Sequence, residues 1–226
     1  MKSDPENRKK NAVVFGATGL IGKELVKALL SDVSYENVTV VVRNPLVVTD
    51  LKLSQIKLAD FSKLPELKGK LRSGDWFCCI GTTIKTAGSQ EAFTSVDLGI
   101  PVAIAGLAEA AGAGSLVVIS SIGADASSGV FYLRTKGEME KEVREIFKGK
   151  LSFVRPSLLM GDRGEFRLAE SVSAVFMKVL GWIMAGPLRK YRGIKAGDLA
   201  RAMIIISNRE DAGLIYESEE LQRIIR

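Results

Sequence analysis

Short apolar runs alternate with longer segments of helical periodicity along most of the chain. Asn11 to Phe15 holds Ala12, Val13, Val14 and Phe15 and stops at Gly16. Behind it Leu20, Ile21, Leu25, Val26, Leu29 and Leu30 recur at the spacing of one helix face, so the reading is strand, glycine turn, helix. Further strands are expected at residues 38–42, 55–59, 76–80, 116–120 and 151–155, and helices at 96–113 and 132–147. These strands are apolar throughout rather than alternating, which is the mark of strands covered on both faces. The expected class is therefore α/β, a doubly wound parallel sheet.

After Pro156 the pattern changes. Arg163, Glu165, Arg167 and Glu170 lead into an apolar helix expected at 172–184, which is interrupted by Lys178 and shorter than the roughly 20 apolar residues a membrane span needs. That helix could pack on its own domain or against a second copy of the chain, making a homodimer one compatible assembly. Lining an apolar pocket and touching a membrane surface are lesser alternatives. Asp198 is placed to cap a helix at 199–206, and 217–226 reads as a surface helix. The 226 residues suit one domain: a flexible tail at 1–11, a core at 12–160, and a small C-terminal cap with closing elements at 161–226.

Composition narrows the chemistry. Hydrophobic residues at 46% and charged residues at 26% suit a folded, water-facing protein. The net charge of +6 is spread along the chain, with no basic stripe interleaved with aromatics, so nucleic acid is not an expected partner. The chain has no histidine, which removes Ser-His-Asp and Cys-His catalysis and the common zinc sites. Its two cysteines, Cys78 and Cys79, are adjacent, offering neither a disulfide framework nor metal-ligand spacing. No metal is expected. Residues 1–10 are polar, with no apolar segment of a secretory signal behind them, and with the free thiols this gives a cytoplasmic expectation.

Several patterns carry candidate chemistry. Gly16-Ala17-Thr18-Gly19-Leu20-Ile21-Gly22 is G-x-x-G-x-x-G at a strand-to-helix turn, where Gly16 permits the turn, Gly19 lets N–H groups approach a pyrophosphate and Gly22 lets helix pack on strand. Thr18, Leu20 and Ile21 complete that loop. At the end of the second strand stands Arg43, where sites that select a free ribose 2′-hydroxyl usually place a carboxylate; a cation there favours a 2′-phosphate and hence NADP over NAD. Asp60 and Phe61 follow the third strand as candidate adenine neighbours, and Gly81-Thr82-Thr83 forms the turn after the fourth. Tyr132 and Lys136 form Y-x-x-x-K, which sets phenol and ammonium on one helix face. Upstream, Ser120-Ser121 closes the fifth strand and delivers hydroxyls to the carboxyl edge of the sheet, where such folds bind ligands.

These residues, with Phe77-Cys78-Cys79-Ile80-Gly81-Thr82-Thr83, Ser120-Ser121-Ile122-Gly123-Ala124, Phe131-Tyr132-Leu133, Lys136-Gly137-Glu138 and Arg155-Pro156-Ser157-Leu158-Leu159, resemble the short-chain dehydrogenase/reductase superfamily. Within its atypical branch they are similar to the Tat-interacting oxidoreductase-like family. The resemblance implies a Rossmann-like fold, with Tyr132 as proton donor or acceptor, Lys136 on the nicotinamide ribose and Ser121 polarising a carbonyl. It also implies Thr82 and Thr83 near the cofactor backbone and Pro156, Leu158 and Leu159 beside the nicotinamide. The expected activity is NADP-dependent hydride transfer on a carbonyl or alcohol substrate of unidentified structure. Two alternatives stand beside it: an NADP(H)-binding regulatory or scaffold protein without turnover, and a nucleotide-sugar epimerase or dehydratase, for which the chain after Leu159 is short.

Overall fold

The computed structural model describes residues 9–157, 159–160 and 194–226. Seven parallel strands form one sheet in the order β3-β2-β1-β4-β5-β6-β9. They are β1 (Lys10–Phe15), β2 (Tyr35–Val42), β3 (Leu53–Lys57), β4 (Asp75–Cys78), β5 (Ser115–Ile119), β6 (Lys150–Arg155) and β9 (Ile215–Glu217). The chain begins at β1 in mid-sheet, works outward to β3, then returns past β1 to build the other half. The reversal between β1 and β4 opens a crevice at the carboxyl ends of these two strands, where a Rossmann-like sheet binds its ligand. A two-residue pair, β7 (Leu159–Met160) with β8 (Ile194–Lys195), lies outside the main sheet.

Helices cover both faces, as the doubly apolar strands require. On one side α1 (Leu20–Ser31) and α6 (Ala196–Asn208) bury Leu25, Leu29, Leu199 and Met203 against Val14, Val40 and Phe77. On the other, α4 (Ile100–Ala110) and α5 (Phe131–Ile146) bury Ile104, Ala108, Met139 and Val143 against Phe15, Trp76, Val118 and Phe153. Between the strands and α4 run α2 (Ile84–Ala87), α3 (Gln90–Thr94) and a π-helical turn (Ser95–Gly99); α7 (Ser218–Ile224) ends the chain.

Several boundaries differ from expectation. β3 lies two residues earlier than expected because it is an edge strand of mostly exposed polar side chains that fix no register by burial. The helix expected at 96–113 starts at Gln90, where the Ser89 hydroxyl accepts from the Ala92 N–H, and ends at Ala110. Asp198 is not a cap: α6 begins after Lys195, and Asp198 sits in its first turn, paired with Arg201. The stretch expected as a surface helix at 217–226 opens with Glu217, which ends β9 and caps α7 with a reciprocal capping box. Lys10 and Asn11, expected in the tail, already belong to β1. Arg163, Glu165, Arg167, Glu170 and the helix expected at 172–184 lie outside the described residues.

Candidate functional site

The glycine loop links β1 to α1 in the manner its spacing dictates. Gly16 has φ +80°, and a Cβ on it would stand 2.5 Å from the Cys79 carbonyl oxygen. This close approach, together with the Cys79 N–H donating to the Phe15 oxygen at 2.9 Å, ties the loop after β1 to the loop after β4. A Cβ on Gly22 would stand 2.1 Å from the Gly16 oxygen, so only glycine lets the first turn of α1 sit on the loop. Gly19 caps α1 with no side-chain hydrogen bond, and Thr18, Gly19 and Leu20 are exposed, whereas Ile21 is buried. The first N–H groups of α1 therefore keep no side-chain acceptor from their cap, and a helix N-terminus in that state favours an anion. A cradle that a Cβ would fill, joined to an open helix N-terminus, fits a pyrophosphate.

The remaining candidates sit along the same edge. Arg43 follows β2 and is exposed. Asp60 and Phe61 follow β3, where the Asp60 carboxylate accepts the Ser62 N–H and caps a 3₁₀ turn (Phe61–Leu67) while Phe61 packs on the core. That hydrogen bond holds the Asp60 carboxyl below its usual range. After β4, the Thr82 N–H donates to Asp97 and the Thr83 hydroxyl caps α2 by accepting from Thr86. A Cβ on Gly81 would stand 3.5 Å from an Asp97 carboxylate oxygen. After β6, Pro156 is buried and its carbonyl accepts from the Ile122 N–H, linking the β6 and β5 loops. Leu158 and the side chain of Leu159 lie outside the described residues.

At the end of β5, Ser120 and Ser121 are both 5% exposed. The Ser121 hydroxyl donates to the Ile122 carbonyl at 3.3 Å, whereas the Ser120 hydroxyl has no protein partner among the described residues. The following loop is pressed on α5, since a Cβ on Gly137 would overlap the Asp125-Ala126 backbone at 2.1–2.2 Å. That contact packs the loop after Ser120 and Ser121 onto the helix that carries Tyr132 and Lys136. Tyr132 is half-buried, its ring 5.5 Å from Phe93, which also meets Phe131 at 5.7 Å.

Lys136 is buried, and its Nζ stands 2.7 Å from the Asp97 carboxylate, itself 1% exposed. Burial alone would lower the lysine pKa; the Asp97 charge, the Tyr132 phenol and the Asp97 hydrogen bond outweigh it and raise it, so the ammonium persists. Burial pushes the neighbouring Cys78 thiol up to about 12, and the Cys79 thiol up as well, so neither is a thiolate near neutral pH.

Asp97 and Phe93 were not singled out by the sequence reading. Asp97 sits in the stretch from 96 to 113 whose apolar and alanine content reads as core helix, and Phe93 lies just before it. The available signal was a lone carboxylate between Val96 and Leu98, a charge that burial would not tolerate without a partner.

Comparison with known proteins agrees with the fold. Residues 16–172 match the model of a family described as NAD(P)H-binding. Protein HTATIP2 of Rattus norvegicus is 35% identical over 179 residues, covering 78% of this chain and 74% of its own. Protein FMP52-1, mitochondrial, of Scheffersomyces stipitis is 34% identical over 155 residues, 68% of this chain and 69% of its own. Among solved structures, the UDP-glucose 4-epimerase of Thermotoga maritima superposes with a TM-score of 0.67 at 13% identity, over 95% of this chain and 80% of that one. MoeE5 in complex with UDP-glucose and NAD gives 0.63 at 19%, over 91% and 74%. At these identities the two structures speak for the fold alone. The family match and the relatives make the chain a member of the NAD(P)H-binding family.

Proposed function

We propose that the chain is an NADP-dependent oxidoreductase acting on a carbonyl or alcohol substrate. The observation that carries this reading is the convergence of an open glycine loop with a Tyr132–Lys136 pair at one sheet edge, the ammonium buried and held charged. The nicotinamide supplies or accepts hydride when bound. Gly16 to Gly22 would hold the pyrophosphate, Arg43 the 2′-phosphate, and Lys136 the nicotinamide ribose. In the reducing direction the Tyr132 hydroxyl gives its proton to the carbonyl oxygen as hydride reaches the carbon, and Ser121 hydrogen-bonds that oxygen. An adjacent ammonium stabilises the phenolate left behind.

Two features bear on setting. The free cysteines suit a reducing compartment, and the FMP52 relatives carry mitochondrial in their names, so cytosol and mitochondrion are the compartments to test.

The test is a carbonyl screen with NADPH on wild type and Tyr132→Phe. Substrate-dependent NADPH oxidation that Tyr132→Phe abolishes, with NADPH affinity kept within a few fold, is the expected result. Full activity in the variant contradicts the mechanism, and tight NADPH binding with no oxidation across the screen favours a regulatory protein without turnover.

A further inference from the structure

Every second N–H of β6 faces β9, and the Phe153 N–H donates to the Leu214 oxygen at 2.7 Å. Arg155 and then Ser157 follow in that series, but β9 has ended at Glu217 and given way to α7 by the time the chain reaches Ser157. A side chain takes the place of the strand: the Ser218 hydroxyl accepts the Ser157 N–H at 2.7 Å. Ser218 opens α7 and is 1% exposed. Its hydroxyl is not needed to cap that helix, since Glu217 and Glu220 form the reciprocal capping box. A buried hydroxyl on a helix already capped, bonded to a backbone group 61 positions earlier, serves the loop after β6 rather than α7.

The other side of that loop is tied as well, because the Ile122 N–H donates to the Pro156 carbonyl at 3.4 Å. Just before it, Arg155 is held to Glu140 of α5 through two hydrogen bonds, of 2.9 and 2.6 Å. Pro156 and Ser157 are thus strung between the loop after β5 and the start of α7, at the carboxyl edge of the sheet. A dinucleotide with its pyrophosphate on the loop after β1 and its adenosine half towards Arg43 after β2 has its other half over the ends of β4, β5 and β6, given the strand order.

We propose that Ser218 is a positioning residue, holding Pro156 and Ser157 in place for the nicotinamide half of the cofactor and taking no part in holding the adenosine half. This rests on the proposed function and adds the last helix of the chain as the support of one half of the site. A segment held before the ligand arrives need not be ordered on binding, so the hydrogen bond is read as affinity for the part of the ligand that the segment meets.

The experiment titrates the full chain with NADPH and, separately, with adenosine 2′,5′-bisphosphate, which carries the adenosine half without the nicotinamide. Ser218→Ala removes the acceptor and leaves the Glu217 cap in place. It is expected to weaken NADPH binding about fivefold, the scale of one lost hydrogen bond, and to leave the bisphosphate affinity unchanged. Equal losses for the two ligands, or no loss for either, overturn the proposal. If Ser218→Ala does not fold, hydrogen exchange at the Ser157 amide of the wild type decides: NADPH should slow it and the bisphosphate should not, and equal slowing by both overturns the proposal. A wild type that binds neither ligand overturns the cofactor reading and this proposal with it, whereas a wild type that binds both, with equal losses in the variant, removes Ser218 alone.

Discussion

Tyr35 starts strand β2 whereas Tyr132 lies in the first turn of helix α5, after the carboxyl end of β5. Tyr35 is fully buried, its hydroxyl donating to Asp75 at 2.8 Å while Asn208 donates to it and Ser207 lies within hydrogen-bond distance. Asp75 also accepts from Ser115 and stands 3.5 Å from the Lys10 ammonium. Burial and the Asp75 charge push the Tyr35 phenol far above its usual range, so it remains a neutral donor. This network ties β1, β2, β4, β5 and the end of α6 together at the amino-terminal edge, away from the candidate site. Tyr35→Phe should therefore destabilise the fold by about 1–3 kcal/mol in urea denaturation, the cost of leaving buried polar atoms unpaired, with NADPH affinity unchanged. A loss of affinity without a loss of stability would contradict that division of labour. At this scale the sequence was uneven. Tyr132 and Lys136 were legible because their spacing repeats one helix face. Asp97 was not, because its importance comes from a lysine 39 positions away, and no local pattern encodes that pairing.

Among elements, the β1–loop–α1 unit was legible nearly residue for residue, since Gly16 and Gly22 answer to geometry that only glycine meets. Gly22→Ala would force a Cβ to within 2.1 Å of the Gly16 oxygen, so the loop must open or the helix must shift. Calorimetry should show NADPH affinity down by at least about tenfold, the scale of about 1.4 kcal/mol, and an unchanged affinity would mean that the loop does not hold the pyrophosphate. Elements at the sheet margins were harder. β9 has three residues, only Tyr216 among them buried, so it offers no period to read and exists because β6 provides an edge to pair with. α2 is a single turn set by the Thr83 cap and ended by Gly88 at φ +89°, too short for any hydrophobic pattern.

At the scale of the molecule, the sheet order and the face-to-face burial set where chemistry can occur and how the fold responds to pH. Cys78 lies in the core with its pKa raised from 9.0 to about 12. The fold therefore favours its protonated form: that contribution is complete below about pH 9 and is lost as pH climbs towards 12. Tyr35 and Lys136, raised likewise, act in the same direction at higher pH. Stability should fall by on the order of 2 kcal/mol between about pH 8 and about pH 10.5 on account of Cys78, and Cys78→Ala should soften the fall. A urea midpoint flat across that range would show that the thiol is not buried as described. The fold class was legible at this scale because doubly apolar strands admit few architectures. The proposed preference for NADPH rests on a single exposed side chain, Arg43, just after β2.

That preference and the binding beneath it are tested together by titrating the purified protein with NADPH and with NADH in a calorimeter, on wild type and Arg43→Ala. The account predicts that wild type binds both and prefers NADPH, and that Arg43→Ala loses NADPH affinity much more than NADH affinity. Equal losses would remove Arg43 from the 2′-phosphate, and no binding of either dinucleotide would contradict the site itself.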